Sequence, residues 1–359
     1  MSAPIPATAW KSTEQGPARI LIVDDSVVVR SVLERIFTAT DTLAVAHKTS
    51  NAEQALAFLA RDRVDIVLLD VEMPGQSGLA ALPAILKAGL GAKVIILSGN
   101  CEEGSAAAVE ALALGASDII SKPGRGSFGN DFSEALIARL LRIVRRRPVA
   151  PEPALPVSLR PLGFGRQLAC LGIGASTGGI HALGQLLSGI TQPLGVPLLL
   201  TQHLPPSFIP FFAIQLGRMT TMPVKVAEQG ETLLPDRIYI APGGANLECR
   251  KSWNGQVHVV LTEDCAPSGS LPAVDPMFAA MADAYGPACG TIVLTGMGRD
   301  GTAGGRKVIE QGGWLIAQDE DSSVVWGMPG SATRAGLASA VLPPQDIMTY
   351  IARRVGVGA

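Results

Sequence analysis

The chain of 359 residues holds only five cysteines and four histidines. The cysteines, Cys101, Cys170, Cys249, Cys265 and Cys289, form no C-x-x-C pair. That excludes a zinc-ribbon framework, and an odd, scattered set reads as reduced thiols rather than disulfide staples. There is no excess of positive charge. The formal net charge is −2, whereas domains that neutralise phosphates are usually basic, so no nucleic-acid partner is expected. No apolar run is long enough to span a bilayer, and the opening stretch MSAPIPATAWKSTEQGPA has no apolar core of signal-peptide length. These absences predict a cytoplasmic protein without direct membrane insertion. What is present is a 47% apolar composition, enough for buried cores, in a length that suggests two domains.

Short apolar runs alternate with longer amphipathic ones. After a tail rich in Ala, Pro and Ser (1–17), the runs RILIV, DIVLLD, KVIILS and SDIIS predict a parallel sheet covered by helices on both faces. This pattern fills 18–144. The stretch RRRPVAPEPALPVSLRPLGFGRQ then loses periodicity and repeats proline, which predicts a semi-extended linker over 145–166. A second α/β pattern over 167–355 carries LACLGIG, VPLLLTQ, RIYIAP, QVHVVLT and GTIVLTG. The segment YIAPGGANLECRKSWNGQVHVVL predicts an antiparallel hairpin turning at Asn254-Gly255. The expectation is therefore a mainly parallel sheet with a hairpin attached.

In parallel sheets, ligands bind at the carboxyl ends of the strands. In the first half those ends carry Asp24-Asp25, Asp70, Ser98 and Lys122. One aspartate at a strand end is most simply a helix cap, but five such groups at equivalent positions are not. Clustered carboxylates repel unless a hard cation joins them, and oxygen ligands suit Mg²⁺. Asp70 is then an oxygen nucleophile suited to taking a phosphoryl group, with Lys122 and Ser98 placed to grip it. The stretches ILIVDDSVVVRSVL, DIVLLDVEMPGQSGL, VIILSG and GASDIISKP resemble the response-regulator receiver domain, a flavodoxin-like fold. The resemblance implies Mg²⁺ on Asp24, Asp25 and Asp70, phosphorylation of Asp70, and phosphate sensing by Ser98 and Lys122. The position three before the lysine, often an aromatic switch residue in that family, is Ile119.

In the second half, CLGIGASTGGIHAL raises a choice between a phosphate-binding loop and a nucleophile turn. The glycine spacing is one too long for G-x-G-x-x-G, the next strand ends in Gln202-His203 rather than an acid, and no G-x-x-x-x-G-K-[ST] occurs. GASTG instead fits G-x-S-x-G, with Ser176 on a sharp strand-to-helix turn. Of the four histidines, His47 lies in the first half. His181 follows on the same helix as a partly exposed residue, and His258 sits in a hairpin strand. Only His203 ends a parallel-type strand, although a structural histidine remains an alternative. Asp300, in GTIVLTGMGRDG, ends a third strand and could orient the imidazole or cap a helix.

The stretches GIGASTGG, TQHLPPSF, VDPMF, TGMGRDG and WGMPGSA resemble the catalytic domain of the protein-glutamate methylesterases of bacterial chemotaxis (CheB). The resemblance implies a Rossmann-like doubly wound sheet and hydrolysis of glutamate methyl esters on the cytoplasmic helices of chemoreceptors. It further implies accompanying glutamine deamidation, a CheA-type histidine kinase as phosphodonor, and no cofactor for the esterase. Ser176, His203 and Asp300 take the triad roles, and the receiver inhibits the catalytic half. Thr177 and Met297 are candidates for the oxyanion site or the site lining, and Met328 has two alternative roles, lining the site or packing around the glycine turns. A DNA-binding output would need a basic helix-turn-helix, which the second half does not offer. A silent phosphate sink is the other alternative, which an esterase assay separates.

Overall fold

The computed structural model describes residues 16–99, 102–122, 130–144, 159–160, 162 and 166–357. Nearly all of the expected tail and most of the expected linker lie outside the described residues.

In the first half, β1 (Ala18–Val23), β2 (Leu43–Thr49), β3 (Ile66–Asp70), β4 (Lys93–Ser98) and β5 (Asp118–Ser121) alternate with five helices. These are α1 (Val27–Thr38), α2 (Ala52–Leu59), α3 (Gly78–Gly89), α4 (Glu102–Ala113) and α5 (Asn130–Val144). The strand order is β2-β1-β3-β4-β5 and every pairing is parallel, as the flavodoxin-like expectation requires. All five residues of β3 are buried, because helices cover both faces of the sheet. Ser26, Asn51 and Ser77 start α1, α2 and α3 by accepting the N–H of Val29, Gln54 and Ala80, which satisfies donors that a helix leaves unpaired.

The second half begins with β6 (Arg166–Leu168) and β7 (Cys170–Ala175). The single run expected there is broken at Ala169. The structure continues through α6 (Gly179–Leu187), β8 (Leu198–Gln202), α7 (Ile209–Met219), β9 (Val224–Val226) and β10 (Ile238–Ile240). The hairpin β11 (Asn246–Lys251) and β12 (Val257–Thr262) and the helix α8 (Val274–Tyr285) follow. The chain closes with β13 (Cys289–Val293), α9 (Thr302–Glu310), β14 (Trp314–Gln318), α10 (Met328–Arg334), β15 (Ala338–Leu342), α11 (Pro344–Arg354) and β16 (Val355–Val357). Seven strands form one parallel sheet in the order β15-β14-β13-β7-β8-β10-β9. The hairpin is a separate two-stranded sheet laid along α8 rather than an extension of the main one. Its turn does use Asn254-Gly255, with Gly255 at φ +86.

The halves are packed together. α4 lies against α6 and α7, and Val109 and Leu112 of α4 belong to the same buried cluster as Ile180, Leu183, Phe208 and Phe212. Met297, Val324 and Val325 of the second half pack against the cluster that holds Leu136, Leu140 and Ile143 of α5. Arg160, within the stretch read as linker, donates from its N–H to Ala338 O at 2.9 Å and from Nε to Gly336 O at 2.9 Å. The far end of that stretch is thus tied to the second half.

Candidate active site

The carboxyl ends of the first sheet bring the expected groups together. Asp24 and Asp70 are buried and Asp25 is exposed. One carboxylate oxygen from each lies within 4.8 Å of the others. Lys122 Nζ sits 2.6 Å from Asp70 Oδ2 and 2.9 Å from Asp24 Oδ2. Among the described residues, the Lys122 ammonium is the one partner near the buried Asp24 Oδ2. Burial, with the neighbouring Asp70 charge adding to it, raises the Asp24 carboxyl above its ordinary value despite Lys122. A cluster of three carboxylates within reach of one another fits a hard divalent cation. Asp70 Oδ1 accepts the Glu72 N–H at 3.0 Å. Gly78 is required here, because a Cβ on it would lie 1.9 Å from Asp70 O. The Ser98 hydroxyl is turned away from the carboxylates and donates to Gly104 O (3.0 Å) in α4 and to Gly99 O (3.1 Å).

In the second sheet, β13, β7 and β8 are neighbours. Asp300, Ser176 and His203 therefore follow three adjacent strands at one edge, although His203 and Asp300 are 97 residues apart. Ser176 lies on the β7–α6 turn. Its N–H donates to Thr295 O (3.0 Å), and its carbonyl accepts from Gly179 N (2.8 Å) and Gln202 Nε2 (2.9 Å). Gly178, at φ +77, supplies the left-handed step of the turn that a side chain would oppose. Gln202, read from sequence only as a residue that is not an acid, thus tethers the Ser176 turn.

His203 Nε2 lies 2.8 Å from Asp300 Oδ2, so the ring's N–H faces the carboxylate and Nδ1 is left as the acceptor. Asp300 is buried and also accepts from Val274 N (2.8 Å), Asp275 N (2.9 Å) and Gly301 N (3.0 Å). Burial works against its charge, but His203 and these donors together hold the carboxyl below its ordinary value. Ser176 and His203 line one cavity of about 90 Å³. Thr177 follows Ser176 and lies in that cavity too. Met297 instead lines a separate cleft beside Asp300 and packs toward α5, while Met328 is fully buried with its sulfur against Gly296.

The small cavity is closed by the first half. Asp118, Ile119 and Arg139 form its far wall. Asp118 is clamped by Arg139 through two 2.6 Å hydrogen bonds and accepts weakly from Thr177 Oγ1 at 3.4 Å. Ile119, at the position of the missing aromatic, faces the second half instead of solvent. His181 is exposed on α6 as expected, and its Nδ1 meets Ala113 O of α4 at 3.2 Å. His47 stacks on Phe58 and His258 bonds to Thr232, both away from the triad.

A parallel sheet that presents serine, histidine and a cradled aspartate at one edge, covered by a receiver with its own acidic pocket, defines a receiver-coupled serine hydrolase. The CheB methylesterase family model matches residues 171–351, and the response regulator receiver domain model matches residues 20–127. The chain belongs to the CheB methylesterase family. It is 40% identical to a protein-glutamate methylesterase/protein-glutamine glutaminase of Nocardioides sp., over 94% of this chain and 95% of that one. A protein of the same description from Nitrobacter hamburgensis is 38% identical, with 96% of each chain covered. The crystal structure of the Thermotoga maritima CheB methylesterase catalytic domain, 36% identical, aligns with a TM-score of 0.49, covering 52% of this chain and 97% of that one.

Proposed function

We propose that this chain hydrolyses glutamate methyl esters on the cytoplasmic helices of chemoreceptors, releasing methanol under control of phosphorylation at Asp70. The observation that carries this reading is the His203–Asp300 pair opening onto the cavity that holds Ser176. Ser176 attacks the ester carbonyl as His203 Nδ1 takes its proton. The same nitrogen returns the proton to departing methanol, and water then cleaves the acyl-enzyme to the free glutamate. Asp300 keeps the N–H on Nε2 and steadies the imidazolium. The backbone N–H of Thr177, beside Ser176 in the same cavity, is the candidate for receiving the oxyanion, whereas Met297 lines a different cleft. Receptor glutamine fits the same chemistry with ammonia as the leaving group. The esterase half needs no cofactor for these steps.

Domain boundaries at 18–144 and 167–355, with the linker between, suit this division of labour. Asp24, Asp25 and Asp70 would hold Mg²⁺, which when bound neutralises the acidic cluster and polarises a phosphoryl oxygen. Asp70 would take the phosphoryl group from a CheA-type histidine kinase, and Lys122 would pair with it. Ser98 now bonds to α4, the helix that packs on α6 and α7. Drawing its hydroxyl toward a phosphoryl group would release α4 and loosen the cover over Ser176. A cavity of about 90 Å³ walled by Asp118 and Arg139 leaves no room for a receptor helix, which supports inhibition by docking. Among the described residues no helix is long and apolar enough to cross a membrane, and action in the cytoplasm follows from the proposed substrate. The test is methanol release from methylated receptor by the full chain, with and without acetyl phosphate and Mg²⁺. Release that rises with phosphodonor is expected, and none under either condition would reject the reading.

A further inference from the structure

We propose that Asp275 is a positioning residue of this site, locking together the first turns of α8 and α9 and thereby holding Asp300 against His203. The inference rests on the hydrolase reading of the site but not on the identity of its substrate.

Two helices begin at the site, and neither has a cap of its own. The N-cap residues are Ala273 for α8 and Gly301 for α9, and neither supplies a side-chain acceptor. First-turn N–H groups left unpaired in a buried place are costly. The two aspartates solve this crosswise. Asp300, just before α9, accepts from Val274 and Asp275 in the first turn of α8. Asp275, in the first turn of α8, accepts from Gly304 N in the first turn of α9 at 2.8 Å. The backbones meet directly, since a Cβ on Gly304 would lie 2.4 Å from Asp275 O. The acceptor that orients His203 is therefore held by a clasp whose other half is Asp275.

The clasp sets two carboxyl groups side by side. Burial, together with the Asp300 charge, pushes Asp275 up to about 6, while Asp300 is held down by His203. Such a split between neighbouring carboxyls assigns them different duties. Of the other charges on the packed elements, Arg250, Lys251, Arg306 and Glu310 are exposed. Asp283 of α8 pairs with Lys307 of α9, and Glu248 of β11 accepts from Thr262 Oγ1. An asparagine at 275 could still accept from Gly304, but it could not add negative charge behind Asp300 at neutral pH.

The experiment compares the full-length protein with Asp275→Ala and Asp275→Asn, in acetyl phosphate and Mg²⁺, between pH 5 and 8.5. It reads kcat and KM for methanol release, and the rate at which a fluorophosphonate probe labels Ser176. Asp275→Ala should lower kcat and labelling tenfold or more with KM within twofold. Asp275→Asn should recover most of the rate at pH 7.5 but shift the acid limb of the pH profile. Wild-type labelling and pH profile in Asp275→Ala would overturn the proposal. So would equal losses in both variants with an unchanged pH profile, which mark a merely structural residue. If the wild type labels but releases no methanol, the substrate reading fails while the labelling data still judge Asp275.

Discussion

At the residue scale the chemistry converges on an Nδ1 acceptor fixed by an Nε2–Asp300 hydrogen bond. Ser176→Ala should fold normally and lose at least about a thousandfold of methanol release, as removing a triad nucleophile does elsewhere. His203→Ala should cost nearly as much, and combining the two should add little, because the members act as a unit. Purified variants assayed on methylated receptor check both, with near-wild-type turnover as the contrary result. Asp275 makes a separate prediction about stability. Its folded-state carboxyl titrates above the unfolded one, so the folded protein binds the proton more tightly between about pH 4 and 6. That contribution is full below the unfolded value and is lost as pH rises through about 6. Asp275→Asn should therefore melt higher than wild type at pH 7.5, with the difference shrinking toward pH 5, in paired thermal scans. A stable variant that turns over differently would show the site retaining a costly charge for function.

At the element scale, both sites stand on close backbone approaches. Gly78 begins α3 against the carbonyl of Asp70, so its side-chain-free backbone is what lets β3 and α3 meet. Gly78→Ala should displace the start of α3, destabilise the chain by about 1–3 kcal/mol as overpacking does, and depress labelling by phosphodonor while Ser176 chemistry persists. Chemical denaturation would read the first effect and base-labile acyl-phosphate labelling by acetyl phosphate the second, and normal Asp70 labelling would refute it. Much of this scale was legible beforehand. RILIV, DIVLLD, KVIILS and SDIIS fall on β1, β3, β4 and β5, since fully buried strands read as unbroken apolar runs. The strands β2, β9, β14, β15 and β16 were not foreseen. β2, β9 and β15 are sheet edges, short or mixed with polar and small residues such as those of Leu43–Thr49, because an edge is only partly covered; β14, WLIAQ, is an interior strand buried at all five residues, and edge exposure does not account for it.

At the scale of the whole molecule, the receiver's α4, β5 and α5 cover the catalytic edge, whereas Asp70 lies at the end of its own sheet. Phosphorylation must act through that face. Removing one peripheral hydrogen bond, worth about 1 kcal/mol, raises a minor open population roughly fivefold. His181→Ala, which deletes the contact with Ala113 O outside the catalytic machinery, should raise unphosphorylated turnover about two- to fivefold and leave the phosphorylated rate unchanged. Asp70→Asn should instead hold turnover at its basal level whatever phosphodonor is added. Parallel assays with and without acetyl phosphate separate the two, and a His181→Ala enzyme as repressed as wild type would argue against docking through α6.

The sequence by itself determined the strand ends and the groups they carry. Strand and helix periodicity is local, and a reactive residue next to a glycine turn can be read where it stands. It thereby placed Asp24, Asp25, Asp70, Ser98 and Lys122 at one sheet edge, and Ser176, His203 and Asp300 at another. Tertiary structure alone decided that β13, β7 and β8 are neighbours, which turns three separated residues into one site. It also decided that Asp275 clasps Asp300, and that Asp118 and Arg139 of the receiver wall off Ser176. The aspartate in VDPMF reads from sequence as one more first-turn acid. Its partner, Gly304, lies on a helix 29 residues away, and a cap that crosses between helices leaves no periodicity to detect. The same holds for the docking face. Its residues satisfy the helix and strand pattern of their own domain, and only the packing of one half on the other gives them a second role.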